Sequence, residues 1–185
     1  MENELSIYVS AASEMDAECE LLGRLLAAMT KSTRWTIKRT PGIHEFANPD
    51  LESLAASDFY LILMGTDITA PIGVELRAAQ HASLPLFAYR CSEGIATPAA
   101  AFFVHNVGVA WKSYASPKGF VRDFERRLIA RLVEGTPGYG LNLDEIQDLS
   151  RRLDALRAQG DEDPATDGRR GAGGGGVILA ADERI

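Results

Sequence analysis

The sequence has no long hydrophobic run, because no apolar stretch reaches the roughly 18 residues that a membrane-spanning helix needs. The first ten residues, MENELSIYVS, are acidic and lack the basic-then-apolar order of a secretory signal. We therefore expect a cytoplasmic protein that does not contact a membrane.

Cysteine and histidine are also scarce. The two cysteines, Cys19 and Cys91, have neither the spacing of metal ligands nor the number that a disulfide framework needs. The three histidines, His44, His81 and His105, are too scattered to suggest a metal site. The sequence therefore predicts no bound metal, and we expect each cysteine to be a small buried hydrophobic residue.

Basic residues are outnumbered by acidic ones, 19 against 26, and the formal net charge is -7 at pH 7. A general nucleic-acid-binding protein neutralises phosphates with a basic surface. The charge balance therefore argues against general nucleic-acid binding and leaves a small molecule or a protein as the expected partner.

The chain does contain short β-favouring segments that alternate with segments of helical periodicity. The predicted strands are residues 5–10, 35–39, 58–64, 84–89 and 107–111. The predicted helices begin near Ser13, Asn48, Thr69, Phe120 and Asn142. This alternation predicts an α/β fold of the flavodoxin-like, three-layer kind, with a mostly parallel five-stranded sheet in the order 2-1-3-4-5 and a further C-terminal helix.

Three helix starts carry capping signals, and one of them is Asn142, which can cap the last helix. Ser13 followed by Asp16 resembles a capping box. Asn48 followed by Pro49 is typical of an N-cap residue with proline at the first helical position.

The composition changes near residue 159, which divides the chain into an α/β domain over 1–158 and a tail over 159–185. The tail reads as a glycine-rich flexible linker followed by VILAADERI. The three aliphatic residues of that last segment suggest an extra strand on a sheet edge, its own or a partner's. A frayed terminus is the alternative.

Open parallel sheets bind ligands beyond the carboxyl ends of their strands, where the strand order reverses. Here that place lies between strands 1 and 3, so Ser10 and Asp67 in the two loops are the first candidates. Glu75 follows in the next helix among apolar neighbours. A carboxylate at the mouth of an apolar cleft can act as a nucleophile or base, and a solvated helix glutamate is the alternative.

The stretches SIYVSA, NPDLESLAASDFYLILMG and PIGVELRAAQHASLPLFAY resemble the nucleoside 2-deoxyribosyltransferase family, which shares its flavodoxin-like fold with TIR domains and TIR-like bacterial proteins. The resemblance covers residues 5–111. It implies that Glu75 is the nucleophilic glutamate, that Tyr8 lies near it and that Asp50 contacts the base and assists proton transfer. It also implies a substrate-side position for Gly73 in the Gly-x-Glu motif.

The chain departs from the family pattern at several positions. Thr69 stands where the family places an acidic residue six positions before the glutamate, and Asp67 is the nearby substitute. The loop after strand 1, Ser-Ala-Ala-Ser, lacks glycine. In related transferases a neighbouring subunit completes the site from the region that here contains Asn106. The tail has no counterpart in the simple transferases.

The resemblance implies N-glycosidic bond cleavage or base exchange on a nucleoside, a nucleotide or NAD, with no cofactor. Water as the acceptor makes a hydrolase, and a second base makes a transferase. Such proteins often resemble effectors of bacterial defence or signalling, and their relatives commonly form oligomers. We therefore expect a homo-oligomer or a partner protein contacted by the tail.

Other interpretations remain open. The domain can be a non-catalytic TIR-like interaction module, in which Glu75 would be exposed or paired with an arginine such as Arg77. Asp50 lies in the first turn of its predicted helix, where the helix dipole alone favours an acidic residue. Tyr8 can be an aromatic residue that only packs in the core. A phosphate-binding or flavin-binding protein fits least, because no glycine-rich loop follows strand 1.

Overall fold

The computed structural model describes residues 3–29, 33–41, 47–135 and 138–160. Five parallel strands form one sheet in the order β2-β1-β3-β4-β5. The strands are β1 (Asn3–Ala11), β2 (Thr33–Arg39), β3 (Phe59–Met64), β4 (Leu86–Cys91) and β5 (Lys112–Tyr114). The predicted α/β flavodoxin-like fold and its strand order are thus confirmed.

Helices cover both faces of the sheet. They are α1 (Asp16–Ala27), α2 (Leu51–Ala55), α3 (Ala70–His81), α4 (Pro98–Asn106), α5 (Pro117–Glu134) and α6 (Leu143–Gly160). One face packs against α1, α5 and α6, and the other packs against α2, α3 and α4. The central strand β3 is buried along its whole length because helices cover it from both sides.

Two predicted capping interactions are wrong. Residues 13–15 form a single 3-10 turn, and α1 begins after it without a side-chain cap. Asp50, not Asn48, caps α2, because its carboxylate accepts a hydrogen bond from the Ser53 N–H at 3.0 Å. Pro49 therefore lies before the helix.

The segment after β4 also differs from the prediction. Residues 98–106 form α4, which the periodicity did not predict, and the strand expected over 107–111 is instead a loop. The loop is apolar because Val107, Val109 and Trp111 pack against the core on the α3 side of the sheet. The fifth strand follows at Lys112–Tyr114, and α5 begins at Pro117 rather than Phe120.

Cys19 and Cys91 are free thiols, partly buried against the core on the α1 side. Among the described residues, no helix combines the length and the apolar character that crossing a membrane requires. The predicted linker and terminal strand lie almost wholly in residues 161–185, outside the described residues.

Candidate functional site

Glu75 lies in the middle of α3 and is completely buried, with 0% of its surface exposed. It shares the sheet-facing side of the helix with Ile72, Leu76 and Ala79, because residues three and four apart lie on one helix face. The amphipathic pattern of α3 therefore carries this carboxylate into the interior. Glu75 is not the solvated glutamate of the alternative interpretation.

Three hydroxyl groups donate hydrogen bonds to the Glu75 carboxylate. Tyr8 donates to Oε1 at 2.8 Å, while Ser10 and Thr40 donate to Oε2 at 2.5 Å and 2.7 Å. Tyr8 and Ser10 are two residues apart on β1, so they face the same side of the sheet. Thr40 directly follows β2, the neighbouring parallel strand.

These bonds matter because a buried ionised group is costly unless hydrogen bonds replace its hydration. Glu75 forms no ion pair with a residue in the described part of the chain, so hydroxyl donors alone satisfy it there. Such an arrangement fixes the position of the carboxylate.

Tyr60 extends the arrangement by donating to the Ser10 hydroxyl oxygen at 2.7 Å. A serine hydroxyl has one proton, so Ser10 accepts a hydrogen bond from Tyr60 and donates its own to Glu75. Thr40 behaves similarly, accepting from the Ala11 N–H at 3.3 Å. We call Tyr8, Ser10, Thr40, Tyr60 and Glu75 the hydroxyl network.

Burial raises the pKa of Tyr8 far above its ordinary value, and the bond to Glu75 raises that pKa further. Burial is also the main cause that raises the pKa of Tyr60. Both phenols therefore stay protonated through the physiological pH range. They act as donors to the network rather than as bases.

Asp50 is outside the hydroxyl network. It is exposed at the start of α2, where Lys38 Nζ lies 3.5 Å from its Oδ2. Hydrogen bonds from Ser53 hold the pKa of Asp50 below its ordinary value, and the charge of Lys38 adds to this effect. Helix α2, which Asp50 caps, packs on the same face of the sheet as Tyr8 and Tyr60, so Asp50 lies on the network's side of the sheet.

Asp67 also makes its contacts elsewhere. Its Oδ1 accepts from the Thr97 hydroxyl and from the Ile68 N–H, each at 2.8 Å. Thr69 precedes α3, and its buried hydroxyl has no hydrogen-bond partner among the described residues. Neither residue contacts Glu75 through a hydrogen bond that the described part of the chain shows.

Gly73 and Asn106 line a different feature, an open groove of about 980 Å³ between α3 and α4. Asn106 donates to the Phe102 carbonyl at 2.7 Å, and the Phe103 ring lies beside Gly73. The groove is on the face of α3 opposite Glu75, so these two residues are not brought to the carboxylate. We call this feature the α3–α4 groove.

Of the predicted site residues, the structure brings Tyr8 and Ser10 into contact with Glu75. Thr40 and Tyr60 also join the network, and neither was predicted from the sequence. A signal for Tyr60 existed, since it lies in register with Tyr8 on the adjacent strand. Thr40 is recognisable only once the carboxyl ends of β1 and β2 are known to be neighbours.

The chemistry available at the network is that of a fixed carboxylate with one lone-pair direction still open. A carboxylate offers about four acceptor positions, and the hydroxyls occupy one at Oε1 and two at Oε2. In the described residues no cluster of three or more histidine, cysteine or acidic side chains is arranged to hold a metal ion.

Comparisons of the chain with protein-family models and with curated proteins found no match.

Proposed function

We propose that this protein cleaves an N-glycosidic bond. Glu75 either stabilises the positive charge that develops at the anomeric carbon or attacks that carbon as a nucleophile. The observation that carries the proposal is the fully buried Glu75 carboxylate, held by three hydroxyls beside the carboxyl end of β1. A fixed carboxylate of this kind stabilises the positive charge that develops on a sugar ring. The resemblance to deoxyribosyltransferases and TIR-like proteins agrees with this role.

The proposed reaction has two steps. The bond between the anomeric carbon and the base nitrogen breaks, and its electron pair leaves with the base. Glu75 Oε1, which has fewer hydrogen bonds than Oε2, then bonds to the anomeric carbon. Water attacks that carbon, releases the carboxylate and loses a proton to solvent; a second base in place of water gives base exchange.

The leaving group favours NAD among the possible substrates. Protonation of a departing base needs an acid, but the lowered pKa of Asp50 keeps that residue ionised at neutral pH. The raised pKa of Tyr8 makes it a weak acid as well. Nicotinamide in NAD is already cationic, so it departs as a neutral molecule without protonation.

Substrate access requires a side chain to move, because Glu75 has no exposed surface. Thr40 is 6% exposed, whereas Tyr8 and Ser10 are at most 1% exposed. We therefore infer that a sugar approaches over Thr40, at the carboxyl end of β2. This position adjoins the reversal of strand order between β1 and β3, where open parallel sheets bind ligands.

A second candidate is a non-catalytic TIR-like assembly module. Glu75 itself does not favour this module, because it is buried and no hydrogen bond or ion pair among the described residues joins it to Arg77; the network would then only tie α3 to β1 and β2. The exposed apolar surface of the α3–α4 groove would serve assembly in this case.

A base-release assay tests the two candidates. The wild type, Glu75→Gln and the control Glu52→Gln are incubated with NAD and a panel of nucleosides, and the products are separated by chromatography. Glu52 is an exposed carboxylate on α2, so its change leaves the network intact. Circular dichroism confirms that each variant is folded.

We expect the wild type and Glu52→Gln to release nicotinamide, and folded Glu75→Gln to release none. Equal release by wild type and Glu75→Gln would exclude the proposed role of Glu75. No release of any base by folded wild type at high concentration would reject the glycosidase and leave the assembly module.

A further inference from the structure

The α3–α4 groove has an apolar end and a polar end. Helices α3 and α4 run in the same direction, because each follows a strand of a parallel sheet. Val74 and Phe102 mark the apolar end, and they are 53% and 70% exposed. Arg77 and His81 mark the other end, about one to two helical turns farther along α3.

The two helices that form the groove present no acidic side chain to it. The only carboxylate within α3 and α4 is that of Glu75, which faces away from the groove. Within the described residues, Arg77 and His81 are exposed and form no ion pair. In a chain of net charge -7, this surface therefore suits an occupant with aliphatic and acidic side chains.

We propose that residues 177–185 of the same chain, VILAADERI, dock in the α3–α4 groove. The segment begins with three aliphatic residues, which match the apolar end, and continues to Asp182 and Glu183, which match Arg77 and His81. A helical segment parallel to α3 reproduces this spacing, because both would rise about 1.5 Å per residue. The proposal is independent of any catalytic role of Glu75.

The chain is long enough for this docking. Helix α6 ends at Gly160 and packs on α5, on the far side of the sheet from the groove. Residues 161–176 can span about 50 Å when extended. A domain of this size has a radius of gyration of about 15 Å, so the linker can pass around one edge of the sheet.

Photo-crosslinking in the full chain tests the proposal. The photoreactive residue benzoylphenylalanine replaces Phe102 in the groove or, for comparison, Ile37 on the edge strand β2, which is 41% exposed. Crosslinked peptides are identified by mass spectrometry. An equal mixture of unlabelled and nitrogen-15-labelled chains separates crosslinks within one chain from crosslinks between two copies.

We expect position 102, and not position 37, to crosslink to residues 177–185 of the same chain. Replacing Val177, Ile178 and Leu179 by serine should lower that yield at least about tenfold, because it removes the apolar contact. Arg77→Glu should lower the yield, and the added changes Asp182→Arg and Glu183→Arg should restore it.

Three results would overturn the proposal. Crosslinks from position 37 alone would place the segment on the sheet edge. Crosslinks from position 102 only between differently labelled chains would place a second copy in the groove. Absence of any crosslink from position 102 to residues 177–185 would show that this segment does not occupy the groove.

Discussion

At the scale of single residues, the main feature is a carboxylate whose hydrogen bonds in the described structure come from three hydroxyls. A buried acid of this kind depends on every donor, because loss of one leaves part of its charge without a partner. Such a group is rigid, and its rigidity serves either catalysis or the attachment of α3 to the sheet.

Replacing Tyr8 by phenylalanine tests this dependence. The change removes the donor to Glu75 Oε1 and should lower the free energy of unfolding by about 1–3 kcal/mol. Urea unfolding monitored by circular dichroism measures the loss. If Glu75 is the nucleophile, Tyr8→Phe should also lower kcat for base release with little change in KM, since Tyr8 positions the carboxylate.

Tyr60→Phe is the matched control, because Tyr60 donates to Ser10 and not directly to Glu75. We expect a smaller effect on kcat from this change than from Tyr8→Phe. Equal unfolding free energies for wild type and Tyr8→Phe would contradict the described network.

At the scale of elements, the sequence predicted β1, β3 and α3 well because their patterns are local. It missed α4 because PAAAFFVHN is apolar almost all round and shows little amphipathic period. The following VGVAW has the composition of a strand but packs as a loop on the core. Thr97 before Pro98 was a usable start signal for this helix.

The site was predictable to a similar extent. The resemblance brought Glu75 and Tyr8 together, but Thr40 and Tyr60 join the network through strand pairing between distant parts of the chain. Asp50 fits the family pattern by spacing, yet it caps its own helix through the Ser53 N–H and lies beside Lys38 of β2. Sequence spacing alone does not show whether a side chain will contact Glu75 or will instead cap its own helix.

Thr97 provides a test at this scale. Its hydroxyl oxygen accepts from the Ala100 N–H at 3.2 Å and its proton goes to Asp67 Oδ1 at 2.8 Å. Thr97→Ala should therefore lower the free energy of unfolding by about 1 kcal/mol and speed hydrogen exchange in the first turn of α4. Thr97→Ser keeps both bonds and should behave as wild type; equal exchange in all three proteins would refute the cap.

At the scale of the whole molecule, burial raises the pKa of several tyrosines. Burial is the largest cause of the shift at each one, and the residues are Tyr8, Tyr60, Tyr89 and Tyr114. Their pKa values are higher in the folded state than in the unfolded chain. The unfolded chain therefore loses these protons first as the pH rises.

We expect the resulting stability to be fully present below about pH 10, the ordinary pKa of tyrosine, and to fall as the pH rises above it. Urea unfolding between about pH 8 and pH 11 measures this fall. Tyrosinate absorbance from these residues should appear together with the loss of circular dichroism. Their ionisation in a protein that keeps its native spectrum would contradict the burial.

The outer strand β2 has a consequence for how the molecule behaves at high concentration. An unpaired strand edge can recruit another copy and start aggregation. Here the exposed side chains of that strand include Arg34, Lys38 and Arg39. Lys38 and Arg39 lie beside the carboxylates of Asp50 and Asp16. Two copies that approach edge to edge would have to remove water from Arg34 and from these ion pairs, so the charged groups on this strand disfavour its pairing with a duplicate.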